Sequence, residues 1–241
     1  MAIEQVVRER LTGISSMATR HVLAELADAY ERHWGPRVVI ESVGGVDAAR
    51  RVLDGEPFDF VVLAADAIGR LAAAGKIDLA SRIDLARSGV AIAVAAGAPR
   101  PDVGDELAIR QAVLAARSIG YSTGPSGAHL ARLFERWGIA ETIAPRIVQA
   151  PPGVPVGTLV ARGDVDLGFQ QLSELMHLPG IDVIGSLPRE IQVVTVFTAA
   201  VCTRSTRPEG AHALLSFLAS AEADAAKRRH GMEPAWATPA P

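Results

Sequence analysis

The sequence predicts an α/β fold built on a largely parallel sheet covered by helices, and three observations carry that expectation. Short β-branched runs alternate with helical patterns almost from end to end. The helical stretches set apolar residues three and four apart, and proline or glycine marks where several of them start or stop. Strand and helix in repeated alternation is the pattern of βαβ units, whose crossovers return the chain to the same edge and so make neighbouring strands parallel.

The first strand is expected at 10–14 and the first helix at 18–34, where Leu23, Leu26, Tyr30 and Trp34 form one apolar face for packing on a sheet. A strand at 38–43, a helix at 46–53, a strand at 58–63 and a helix at 67–74 follow, the last closed by Gly75. The alternation continues through strand 90–95, helix 105–116, strand 118–121, helix 126–137 ended by Gly138, and strand 146–149. Next come helix 156–162, strand 165–169, a short helix at 171–176, strands at 183–184 and 192–202, and two helices between Pro208 and His230, with Gly231 as the stop. Two strand candidates, 89–97 and 191–202, are long enough to cross between two lobes. The Pro/Ala tail from Trp236 to Pro241 is expected to fray.

Composition narrows the function classes. The chain has 241 residues, 49% hydrophobic and 21% charged, which suits one large globular domain or two small lobes. Its 24 Lys and Arg are interleaved with 27 Asp and Glu, and the longest basic block is Lys227-Arg228-Arg229, so nucleic acid is not an expected partner. Cys202 is the only cysteine, in an apolar setting that suggests a buried thiol. The opening MAIEQVVRERLTGISSM lacks the apolar run of a secretory signal, so the chain as written is expected in the cytoplasm, or in the periplasm if Met-Ala replaces a native signal. No window approaches the ~18 apolar residues of a membrane span. The six histidines are scattered without HExxH spacing, and neither a metal nor a cofactor is expected. GxxxxGK[ST] and GxGxxG are absent, and GPSG differs from the GxSxG elbow, which disfavours ATP, NAD and serine hydrolysis.

The chemistry gathers at three strand-to-helix junctions: Gly13 to Arg20 (GISSMATR), Ser42 to Asp47 (SVGGVD) and Thr123 to Gly127 (TGPSG). In a parallel sheet such junctions lie at the carboxyl ends of the strands, where ligands collect. Helix starts offer unpaired N–H groups and partial positive charge, glycine lets a ligand approach the backbone, and serine adds donors. The plainer reading makes Ser16, Asp47 and Ser126 ordinary N-caps. Arg20 could pair a carboxylate bidentately, and His129 stands in the first turn after PSG. A fourth cluster, DLGFQQLSE at 166–174, places Gln170 and Gln171 at a strand end, either reaching a ligand or capping the short helix.

These residues resemble the type 2 periplasmic binding proteins, especially the molybdate-binding branch, over nearly the whole chain. FDFVVLAADAIGRLAAAGKID is similar to that family's strand, small-residue-Asp turn and helix; PSG followed by LARLFERWGI to its second anion loop; VARGDVDLGF to the segment before its hinge; and FLASAEADAAKRRHGMEPA to its terminal helix and ending. The resemblance implies two α/β lobes joined by two crossing strands, lobe 1 at 1–90 plus 197–241 and lobe 2 at 91–196, with the ligand held between them. It implies ligand contacts at Ser15 or Ser16, Gly44 or Gly45, Ala65, Ser126 or Gly127, Val154, and Gln170 or Gln171. The molybdate branch has a serine where this chain has Gly44-Gly45 and a tyrosine where it has the glutamine pair, which removes two hydroxyls from an oxyanion's donor shell.

Three functions follow from the resemblance. The first is recognition of a small anion, more in keeping with an organic carboxylate, with an ABC permease as partner only if the protein is exported. The second is a cytoplasmic isomerase of the aconitate isomerase type, a catalytic member of the same superfamily, moving a proton across a C=C bond of a di- or tricarboxylate. For that chemistry Arg20, Ser16 and Ser126 are the holding groups, and His129, His21 or Glu174 the base. The third is molybdate or tungstate binding for transport.

Overall fold

The computed structural model describes residues 10–151 and 153–237, so most of the charged N-terminal stretch and the tail from Thr238 lie outside the described residues. The chain sorts into two compact units. Unit 1 takes the described residues up to Leu85 together with Thr198–Lys227; unit 2 takes Ala86–Phe197 together with those from Arg228 on.

Unit 1 begins β1 (Arg10–Ser16), α1 (Arg20–Trp34), β2 (Arg37–Val43), α2 (Gly45–Leu53), β3 (Phe60–Ala64) and α3 (Ala65–Ala73). β1 lies between β2 and β3 and is parallel to both, with Ser15 opposite Ser42 on one side and Val62 on the other. The apolar face expected of α1 packs as read at Leu23, Leu26 and Tyr30, but Trp34 remains 50% exposed. It is the last residue before Gly35 ends the helix at φ 92°, and it stacks on Tyr30 and leans on Phe217 instead of the sheet. Ile14, Val61, Leu63, Ile68 and Leu71 form the core beneath α2 and α3, each contributing about 2 kcal/mol by burial. Cys202 belongs to the same core, and burial with the nearby Asp59 charge pushes its thiol up to about 12, which leaves it inert.

β4 (Ile83–Ala95) starts in unit 1 and runs into unit 2; it begins seven residues before the strand expected at 90. Unit 2 then holds α4 (Glu106–Ala115), β5 (Ile119–Tyr121), α5 (Pro125–Arg136), α6 (Ala140–Ile143), β6 (Ile147–Gln149), α7 (Val156–Ala161), β7 (Leu167–Gln171), α8 (Leu172–Leu175) and β8 (Ile181–Ser186). β9 (Val194–Val201) returns the chain to unit 1, where α9 (Pro208–Ala219) follows, and α10 (Asp224–Arg229) leads to β10 (Glu233–Pro234).

Within unit 2 the strand order is β4-β7-β5-β6. β5 is parallel to β6 and β7, while β4 runs antiparallel to β7, β8 and β10, so the sheet is mixed. The parallel members are joined by helical crossovers; β4 enters from the other unit and escapes that constraint. Glycine sets how closely α7 lies on this sheet. A Cβ on Gly168 would stand 2.5 Å from Val160, and one on Gly120 would stand 3.1 Å from Val156. Glu233 of β10 pairs with Arg87 of β4 in unit 2. Among the described residues no helix is long and apolar enough to cross a membrane.

Candidate functional site

In unit 1 the parallel register carries the ends of β1, β2 and β3 to one edge, and the helices that follow them start there with unpaired N–H groups. None of the serines expected to cap does so. Ser16 stands before a short 3₁₀ turn at Met17–Thr19 without a side-chain cap bond, and its Oγ is buried with no hydrogen-bond partner among the described residues. Gly45 lies against it: a Cβ there would meet the Ser16 Cβ at 3.7 Å. Gly44 occupies the cap position of α2, which moves Asp47 into the first turn, where it pairs with Arg50. Ala65 opens α3, and Arg20 opens α1 with its side chain exposed.

Ser15 is different. It is fully buried, and its Oγ shares a 2.9 Å hydrogen bond with the Ser42 hydroxyl on the neighbouring strand. Ser42 was not among the expected contacts, although its place two residues before Gly44-Gly45 on a parallel strand was the signal that it faces Ser15.

In unit 2 the ends of β5, β6 and β7 also share an edge, Tyr121 lying opposite Gln149 and Phe169. Gly124 takes the cap position of α5 and Pro125 its first turn, so Ser126 again is no cap; it is buried, with Oγ 3.4 Å from the Ser122 hydroxyl. Gly127 is required by close approach, since a Cβ would fall 1.7 Å from the Ser122 carbonyl oxygen. The His129 Nε2 lies 2.8 Å from the Ile191 carbonyl. A carbonyl only accepts, so Nε2 carries the proton there. The Val154 amide donates to the Pro151 carbonyl at 3.0 Å and closes a turn.

The glutamine pair divides its labour. Gln171 holds the cap position of α8 without a side-chain cap bond. In the orientation that satisfies both ends of its amide, the nitrogen donates to the Ser88 and Gly89 carbonyls and the oxygen accepts from Thr195 Oγ1, tying β7 to β4 and β9. Gln170, 2% exposed, accepts from the Val156 amide at 2.7 Å and donates to Glu174 Oε2 at 2.6 Å. Glu174 is part-buried, and burial pushes its carboxyl up to about 7 against the opposing pull of the Gln170 hydrogen bond. Beside it the Ser173 Oγ is buried with no hydrogen-bond partner among the described residues. No group of three or more His, Cys, Asp or Glu among the described residues is placed to hold a metal ion.

Comparison with known proteins gives this arrangement a family. Residues 11–233 match the model of the bacterial extracellular solute-binding protein family. The chain is 39% identical over 235 residues to an aconitate isomerase of Pseudomonas sp, covering 95% of this chain and 89% of that protein. Among solved structures, the periplasmic molybdate-binding protein of Azotobacter vinelandii aligns with a TM-score of 0.77 at 21% identity, covering 92% of this chain and 98% of the other. The sulfate-binding protein SubI of Mycobacterium tuberculosis H37Rv aligns at 0.76 and 18% identity, covering 95% and 88%. With a family match along most of its length and the two-lobed type 2 fold of these neighbours, the chain belongs to the bacterial extracellular solute-binding protein family.

Proposed function

We propose that the protein binds an unsaturated di- or tricarboxylate and isomerises it by a 1,3-proton shift, as an isomerase of the aconitate type. The 39% identity to an aconitate isomerase over 95% of the chain carries this reading. The chemistry asks for little: a base removes a proton from the CH₂ next to the C=C, the double bond moves by one carbon, and the base, after exchange with solvent, delivers a proton at the far end. The carbanionic charge that develops spreads onto a carboxylate, so donors aimed at carboxylate oxygens stabilise the transition state. Unit 1 offers for this purpose the Ser16 hydroxyl, without a hydrogen-bond partner among the described residues, and the glycine-lined start of α2. A tetrahedral metal oxyanion is less well served, because Gly44-Gly45 carries no hydroxyl and both glutamine amides are engaged within unit 2.

The family description and the molybdate- and sulfate-binding neighbours favour a second reading, capture of the same carboxylates without turnover, with a transporter permease as partner. One experiment separates the readings. The protein is titrated with cis- and trans-aconitate, related di- and tricarboxylates, molybdate and sulfate while its thermal unfolding is followed, and each carboxylate is then incubated with it in deuterated water. A true ligand at 100 times its Kd adds about 2.7 kcal/mol of stability. Isomerisation requires, in addition, deuterium at an allylic carbon; stabilisation without deuterium uptake leaves capture, and no stabilisation by any of these anions overturns both.

A further inference from the structure

We propose that Glu174 is the catalytic residue that takes and returns the proton, and that Gln170, hydrogen-bonded between Glu174 and the Val156 amide, is its positioning residue. This assignment rests on the isomerase reading and goes beyond it by naming the atoms.

The hydrogen bonds run in one direction only. The Val156 N–H can only donate, so the amide oxygen of Gln170 must face it, 2.7 Å away, and the Gln170 nitrogen must face Glu174. Gln170 therefore donates to Glu174 Oε2 at 2.6 Å whether the carboxyl is charged or neutral. That leaves Oε1 to carry the mobile proton. Gln170 is itself buried at the carboxyl end of β7, and α7, which supplies the Val156 amide, is held close to the sheet by Gly120 and Gly168.

The surroundings suit a base that works near neutrality. Nearby, Asp182 on β8 is held by Arg100, and His177 and His230 face each other across 3.0 Å. Burial is the larger influence on its carboxyl and the Gln170 donation the smaller, opposing one, which leaves it near the pH where a general base is most effective. His129, the other base candidate, is held through its Nε2 by a backbone carbonyl and keeps one ring nitrogen for chemistry.

The step balances without a co-reactant. Glu174 Oε1 takes H⁺ as the allylic C–H bond breaks; that electron pair forms the new C=C, the Oε1 proton exchanges with solvent, and the pair of the old C=C takes a proton from Oε1 at its far carbon. Glu174 ends as the carboxylate with which it began.

The test measures isomerisation and deuterium uptake from deuterated water across pH 5–9, on cis- and trans-aconitate, for wild type, Glu174→Gln, Glu174→Asp and Gln170→Ala. Glu174→Gln should lose about a thousandfold in turnover while still being stabilised by the carboxylate, and Glu174→Asp should recover part of the loss. Gln170→Ala should move the acid limb of kcat/KM to higher pH, because a donor that favours the charged carboxylate has gone. Turnover of Glu174→Gln within tenfold of wild type, or an unmoved acid limb in Gln170→Ala, overturns the assignment while leaving the isomerase reading intact. A wild type that binds the carboxylates but incorporates no deuterium overturns both.

Discussion

Ser16 is a buried hydroxyl with no hydrogen-bond partner among the described residues, an arrangement that costs a folded protein about 1–3 kcal/mol and persists where something else benefits. Ser16→Ala should therefore raise the free energy of unfolding, by about 1 kcal/mol, and at the same time shrink the thermal shift produced by a carboxylate ligand. Urea unfolding with and without ligand measures both; a variant that is less stable and binds as well as wild type would show that the hydroxyl serves the fold. Other residues had roles that types and spacing left open. Serine beside glycine at a strand end was readable as a cap or as a donor, and the outcome depended on the local start of each helix: Gly124 takes the cap position of α5 in place of Ser126, while Ser16 stands at the start of its 3₁₀ turn without making a side-chain cap bond. The resemblance implied a ligand contact at Val154, and its amide donates within the chain to the Pro151 carbonyl.

At the scale of elements, α7 shows how two glycines on strands govern a site they do not touch. Gly168 and Gly120 leave room for Val156 and Val160, and the helix start that descends into that room delivers the amide that fixes Gln170. Gly168→Val would force side chains into Val160 and should cost about 1–3 kcal/mol by overpacking. Hydrogen exchange should show the Val156 amide losing protection more than the amides of α4; equal protection in wild type and variant would disconnect the helix seat from the glutamine. The existence and order of nearly every element could be read from apolar spacing, since that pattern records which face each segment buries. Strand direction at β4 could not be read, because a period of two is the same for parallel and antiparallel neighbours, and neither could the fate of Trp34, whose spacing fits the buried face of α1 although the helix ends at that residue.

For the molecule as a whole, pH acts on stability in two opposed ways. Glu41, Glu56, Glu106, Asp166 and Asp182 are held below the ordinary carboxylate range, Glu106 first by Trp137 and the others first by an arginine side chain, so their contributions are present at neutral pH and lost on acidification. Glu174 works the other way. Raised from 4.5 to about 7, it binds a proton in the folded chain that the unfolded chain has already released, so stability falls as pH rises between those values. Glu174→Gln should match wild type in stability near pH 4 and exceed it at pH 8, by on the order of 1–2 kcal/mol once partial exposure is allowed for. Denaturant melts at the two pH values decide it; an equal difference at both would mean that the carboxyl does not titrate with folding. The discontinuity of both units carries a last consequence, for synthesis on the ribosome. Domains ordinarily fold as they emerge, N-terminal first. Here unit 1 waits for Thr198–Lys227, and unit 2 waits for the segment beyond Arg228 that supplies β10. The nascent chain thus carries two unfinished cores until Thr198–Lys227 has emerged, and a premature stop between β9 and Lys227 damages both at once, placing a demand on cellular chaperones.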